Sequence, residues 1–319
     1  MNRIMIVGCG DIALRVARLL TSRYRVLGLV RNPARYAGLR AAGVVPLPGD
    51  LDEPRSLQRL SGLGHTVLHF APPPAAELLA RSAAYTDTRT RNLLAALSRG
   101  TLPRRLIYIS TSGVYGDCSG ALVHETRPTH AQNPRAKLRV DAEKQIRNWA
   151  KHNGVHASIL RVPGIYAAER LPVERIKKGT PAIIDVEDGY TNHIHADDLA
   201  RCVIAAMLRA KPNRAYHTVD DSQMKMGEYF DAVADTFALP RSPRITRAEA
   251  KDALSPMLLS FMNESRRLSN TRMKQELKVV MHYPAVADTL AEIRQHCLAE
   301  SAAQASASPR LQQLSLPLF

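Results

Sequence analysis

The most constraining stretch of this 319-residue chain is its beginning. Arg3-Ile4-Met5-Ile6-Val7 reads as a short buried strand and runs straight into Gly8-Cys9-Gly10-Asp11-Ile12-Ala13. From Leu14 to Leu20 the apolar residues recur at helical spacing. Strand, glycine turn and helix in that order give the G-x-G-x-x-A spacing a physical meaning. Gly8 permits the tight turn, Gly10 lets the backbone approach a pyrophosphate, and Ala13 is small enough for close helix–strand packing. The helix N-terminus, at Asp11 and Ile12, offers free N–H groups and a positive dipole end to the phosphates. The start of the chain is therefore expected to bind a dinucleotide.

A chain of this length makes one large α/β domain, or a main domain with a smaller one. No apolar run is long enough to span a bilayer and no charged-then-apolar leader precedes the first strand, so a cytoplasmic location without membrane attachment is expected. Cys9, Cys118, Cys202 and Cys297 stand far apart, in neither a zinc nor a disulfide pattern, and no metal site is expected. The net charge of +15 suits a polyanionic partner. Yet aromatics are only 5% and no Lys/Arg block is interleaved with them, so direct nucleic-acid binding is not expected.

The second strand, Tyr24–Val30, ends at Arg31, where such folds usually carry an acid on the ribose 2′-hydroxyl. An arginine there suits a 2′-phosphate, joined by Arg35 one turn later. NADP is the expected cofactor, with NAD as the alternative. After a third strand at Val44–Leu47, Asp50-Leu51 is expected at the adenine edge. A fourth strand, Thr66–Phe70, ends in Ala71-Pro72-Pro73-Pro74, where the prolines turn the chain outward beside the cofactor. A long helix is expected from Ala75 to Ser98, then a fifth strand at Arg104–Ser110. Strands alternating with helices predict a Rossmann-type, doubly wound parallel sheet. Residues 1–165, completed by about 190–220, form the expected dinucleotide-binding domain. Residues 166–189 and 221–298 form a smaller substrate-side region, and 299–319 a flexible tail.

The fifth strand leads into Ser110-Thr111-Ser112-Gly113-Val114-Tyr115-Gly116-Asp117. Together with GCGDIA, Asp50-Leu51, Glu125-Thr126 and Pro128, RVPGIY at Arg161–Tyr166 and HIHADDLA at His193–Ala200, this resembles the extended short-chain dehydrogenase/reductase family of the NAD-dependent epimerase/dehydratase type. The resemblance covers most of residues 1–220 and implies an NAD(P)-dependent oxidoreductase or epimerase with a small-molecule substrate. It implies that Thr111 contacts the reacting oxygen, with Ser110 beside it, that Tyr115 lies near the substrate, and that Ser110 and Pro163 border the cofactor. It also implies a homodimer through the helices near Ala83–Ser98 and Arg135–Lys151, with Leu97 and Trp149 as contacts.

One departure stands out. The family carries a Tyr-x-x-x-Lys pair as its acid/base. Pro134 and Glu143 fix the alignment and put Arg135 in the tyrosine place and Arg139 in the lysine place. Arginine stays protonated and cannot be that acid/base. Arg139 can still hold a ribose hydroxyl or a phosphate, and Arg135 an anionic substrate. The pattern resembles atypical family members that lack the tyrosine. His193 is a candidate substitute acid/base, although it alternates with His195 on a strand and the two should face opposite ways. Two functions stay open: an oxidoreductase or epimerase with a rebuilt acid/base, and a non-catalytic NADP-binding sensor or scaffold. Finally, Gln313-Leu314-Ser315-Leu316-Pro317-Leu318-Phe319, after a low-complexity stretch at Ala299–Pro309, resembles the short peptides that dock on the bacterial replication sliding clamp.

Overall fold

The computed structural model describes residues 2–75 and 85–307. The chain opens with β1 (Arg3–Val7), α1 (Asp11–Leu20), β2 (Arg25–Val30), α2 (Tyr36–Ala41), β3 (Val44–Pro48), β4 (Thr66–His69), α3 (Thr88–Leu97) and β5 (Arg105–Thr111). It continues through β6 (Leu122–Val123), α4 (Pro134–Asn153), β7 (His156–Val162), β8 (Gly164–Tyr166), α5 (Val173–Lys177), β9 (Ala182–Ile183), β10 (Tyr190–Thr191), β11 (His193–His195), α6 (Ala196–Arg209) and β12 (Arg214–His217). The last part holds β13 (Met224–Lys225), α7 (Met226–Thr236), β14 (Arg244–Ile245), α8 (Ala250–Ala253), α9 (Pro256–Met262), β15 (Arg267–Leu268) and α10 (Val286–Ala307).

Seven parallel strands form the main sheet in the order β12-β7-β5-β4-β1-β2-β3. The order reverses between β1 and β4, so the crevice of this doubly wound fold opens above their carboxyl ends. Side chains of β1 alternate between two cores. Ile4 and Ile6 pack with Val16, Ala17 and Val203 on the α1/α6 side, and Met5 and Val7 with Leu93 and Ile146 on the α3/α4 side. Both faces are covered, which is why the strands read as continuous apolar runs. A separate core of Tyr166, Phe230, Val233 and Val286 holds α7 and α10 together on the substrate side.

Three expectations are corrected. The helix expected over Ala75–Ser98 spans Thr88–Leu97, because Asp87 caps it by accepting from Thr90 N at 3.1 Å; residues 76–84 lie outside the described residues. Leu97, expected as a dimer contact, is 2% exposed and belongs to its own chain's core. Trp149 is half-buried, its Nε1 donating to Ser98 Oγ at 2.8 Å. The stretch from Ala299, read as linker, instead continues α10 to Ala307. Its Ala, Glu and Gln residues carry high helix propensity, and lack of core-forming side chains does not stop a helix from propagating. The tail motif Gln313–Phe319 lies outside the described residues.

Candidate active site

The glycine turn is built as its spacing requires. Gly8 has φ +95°, and a Cβ there would stand 2.4 Å from Ala71 N. Phe70 N and Ala71 N both donate to Val7 O, at 2.7 and 2.9 Å, which draws the end of β4 against the turn. Gly10 is the N-cap of α1, and a Cβ on it would meet nothing within 4 Å. The space above Gly10, bordered by the first amides of α1 that have no intrahelical acceptor, fits the diphosphate of a dinucleotide. Ile12 turns its side chain to the core, while Asp11 stays at the surface.

At the far end of the crevice Arg31 is exposed, with no ion-pair partner among the described residues. Asn32, next to it, caps a one-turn helix by accepting from Ala34 N at 3.0 Å. Asp50 accepts from Asp52 N at 3.0 Å, and Leu51 is buried. Arg89, not singled out in the sequence, ties this end together. It binds Asp52 through two N–H···O bonds of 2.8 and 2.6 Å and donates to Pro72 O at 3.2 Å. This pairing holds the Asp52 carboxyl below its ordinary range.

Beneath the end of β5 lies a buried polar network. Ser110 Oγ donates to Glu143 Oε1 at 2.6 Å. Arg161 grips Glu143 at 2.7 and 3.1 Å and donates to Tyr115 Oη at 2.5 Å. Tyr115 Oη in turn contacts His217 Nε2 at 2.6 Å, while His217 Nδ1 meets Ser269 O at 3.0 Å. A carbonyl accepts only, so Nδ1 carries the proton and Nε2 accepts from Tyr115. Tyr115 is 1% exposed, and its hydroxyl is used within this network. The Ser110 side chain points into the same network. Glu143 and Arg161 were visible in the sequence only as motif positions; their contacts with each other and with Tyr115, and those of His217, escaped it because the partners lie far apart along the chain.

Above the network, Thr111 is half-buried, and its Oγ1 accepts from Gly113 N at 3.3 Å, which leaves its own proton to donate. The arginines of α4 take different positions. Asn133 caps the helix by accepting from Ala136 N at 2.9 Å, and Pro134 suits its first turn. This start delivers Arg139 onto β5, where Nη1 donates to Ile109 O at 2.7 Å and to Tyr108 Oη at 3.0 Å. Tyr108 is fully buried, and burial pushes its hydroxyl up to about 12. Arg135 is exposed and stacks over Phe261 of α9, 5.4 Å from the ring centroid. Lys137 lies 4.8 Å from the Tyr85 ring centroid, so cation–π pairs connect the start of α4 to segments on either side. Phe261 also lines a cavity of about 370 Å³ with Arg175, Thr180, Ser255 and Leu258. Burial lowers the Arg175 guanidinium.

His193 is 4% exposed, and burial holds its imidazole down near 4. Its ring packs 4.3 Å from Tyr229, and Nδ1 has no partner among the described residues. A neutral, enclosed imidazole is available as a proton acceptor but is not open to the crevice. His195 is equally buried and lies 3.8 Å from the Tyr283 ring. Pro163 stands half-buried between β7 and β8.

The fold and the turn define a dinucleotide-binding protein of Rossmann type. The model of the NAD dependent epimerase/dehydratase family matches residues 10–219, and the chain belongs to that family. The GDP-6-deoxy-D-mannose reductase of Pseudomonas aeruginosa is 26% identical over 245 residues, covering 68% of this chain and 80% of the relative. A solved structure of a functionally unknown conserved protein from Silicibacter pomeroyi is 29% identical at TM-score 0.73, covering 93% of this chain and 99% of that one. A dTDP-glucose 4,6-dehydratase from Streptomyces venezuelae, solved with NAD bound, shares the fold at TM-score 0.74 and 19% identity, covering 94% and 98%.

Proposed function

We propose that this protein is an NADP-preferring oxidoreductase that acts on a small anionic carbonyl compound without a tyrosine acid. The observation that carries the reading is the placement of arginine. Arg139 is fixed to the end of β5, Arg135 stacks over Phe261, and Arg175 lines with Phe261 the same cavity. Bound nicotinamide would supply or take the hydride. Thr111 has a hydroxyl proton to aim at the substrate oxygen, and the fixed charge of Arg139 favours negative charge developing there. The proton itself is then drawn from water at the open mouth. Arg135 and Arg175 select a substrate that carries a carboxylate or phosphate.

Support for NADP comes from the exposed Arg31, which follows β2. Arg31→Asp should weaken NADPH binding about 10- to 100-fold and leave NADH nearly unchanged, as expected for a lost charge-assisted contact. Fluorescence titration with both cofactors checks this, and equal loss for the two would refute it. Hydride transfer is followed by nicotinamide absorbance across carbonyl compounds with and without an acidic group. Tight NADPH binding with no turnover of any acidic carbonyl would overturn the reading.

A further inference from the structure

The glycine turn is bolted to the substrate-side region by an ion cluster that spans the two ends of the chain's functional half. Asp11, the first residue of α1, accepts from Arg15 Nε at 3.1 and 3.3 Å and from Arg170 Nη1 at 2.8 Å. Arg15 also pairs with Glu169 and, at 2.6 Å, with Asp197 of α6. Glu169 and Arg170 sit on the one-turn helix Ala168–Arg170 that opens the substrate-side stretch after β8. Three carboxylates thus share two guanidiniums directly beside the amides that fit a diphosphate. His195 adds no positive charge, since its Nδ1 accepts from Asp197 N at 3.2 Å and burial keeps the ring neutral.

The cluster is one positive charge short before any phosphate arrives, and a dianionic diphosphate deepens that deficit. The two arginines are not equivalent in meeting it. Arg15 has its Nε and both terminal nitrogens committed to three carboxylates, and its side chain is only 15% exposed. Arg170 uses one nitrogen on one carboxylate and is 36% exposed, so most of its five N–H groups remain to be used. It also stands one carboxylate away from the backbone amide of Asp11, itself a member of the diphosphate cradle.

We propose that Arg170 is a cofactor-diphosphate ligand contributed by the substrate-side region, and that Asp11 holds it in reserve until the cofactor binds. Arg170 then bridges the Asp11 carboxylate and a phosphate oxygen, so cofactor binding fastens residues 166–189 over the crevice. This rests on the reading of the glycine turn as the diphosphate site, but not on the choice of NADP, because the diphosphate is common to both cofactors.

The test is calorimetric titration of the full chain with NADPH, NADH and ADP-ribose. Arg170→Gln should weaken all three by about 5- to 30-fold, the range for one partly exposed charge-assisted contact; Arg170→Lys should recover part of the loss. Asp11→Asn should act with the opposite sign and tighten all three, because it removes a negative charge from the cradle and releases Arg170. Hydrogen exchange should show that NADPH protects residues 166–189 in the wild type and protects them less in Arg170→Gln. Unchanged affinities in Arg170→Gln, loss confined to NADPH, or weaker binding in Asp11→Asn would each overturn the proposal. If none of the three ligands binds the wild type, the diphosphate reading itself fails, an outcome distinct from those.

Discussion

Replacing Glu143 by Ala should be among the most destabilising single changes in this protein. The Glu143 side chain is 4% exposed and that of Arg161 is 6% exposed. Two N–H···O bonds join them, and Ser110 Oγ adds a third bond to the same carboxylate. Truncation leaves the guanidinium with Tyr115 Oη and one carbonyl, Glu125 O at 3.4 Å, and no counter-charge. Breaking a buried pair from one side costs about 3–5 kcal/mol, because the remaining charge stays desolvated. A compensated replacement behaves differently. Glu143→Leu with Arg161→Met removes both charges and keeps most of the volume, so it should cost less than either single change. Urea unfolding of the wild type, Glu143→Ala, Glu143→Leu, Arg161→Met and the double variant gives the free energies and the coupling between the sites. A cost under about 1 kcal/mol for Glu143→Ala, or a double variant less stable than both singles, would refute the claim that an uncompensated buried charge dominates.

Stability should also rise between pH 4 and 6.5. Burial holds His69 and His217 near 3 and His193 near 4, against 6.5 when exposed, so below 6.5 the unfolded chain gains protons that the folded chain refuses. Asp220 opposes them, since burial lifts it to about 8 and the folded state keeps its proton. The three histidines outweigh this aspartate, so the balance is a rise in stability with pH, and a flat urea midpoint across that range would contradict it. At the glycine turn, Gly8→Ala should destabilise by more than about 2 kcal/mol, through positive φ and a backbone clash. Gly10→Val should spare stability and remove cofactor binding, read by thermal melts with and without NADPH.

The parts legible in the sequence are those fixed by near neighbours. Gly8 and Gly10 announced their turn because strand, turn and helix are consecutive, and the unbroken apolar run of β1 already read as a buried strand. Arg135 and Arg139 were located by Pro134 and Glu143 on the same helix. Contacts between distant segments were not legible. Tyr115 was read as a substrate neighbour because nothing local reveals that His217, 102 residues on, takes its hydroxyl. Asp11 gave no sign of Arg170, 159 residues away. Composition misled at the end of α10, where few packing residues were taken for the absence of a helix.

The network under β5 also holds α4 in place without help from Arg135 or Arg139. Glu143, Arg161, Ser110 and Tyr115 fix α4 against β5 and β7 from below, so positions 135 and 139 on the upper part of α4 carry little of that load. Arg139 reaches Ile109 O and Tyr108 Oη from one nitrogen, with its guanidinium 5.6 Å from the Tyr108 ring centroid. A lysine ammonium is a compact point charge and does not reproduce a planar group stacked beside a ring. Arg135, in turn, has its aromatic partner on α9, outside the dinucleotide half. One arginine is therefore held against the end of β5 and the other against α9. On the reading proposed above, fixed positive charge at these two positions favours a substrate that brings its own negative charge.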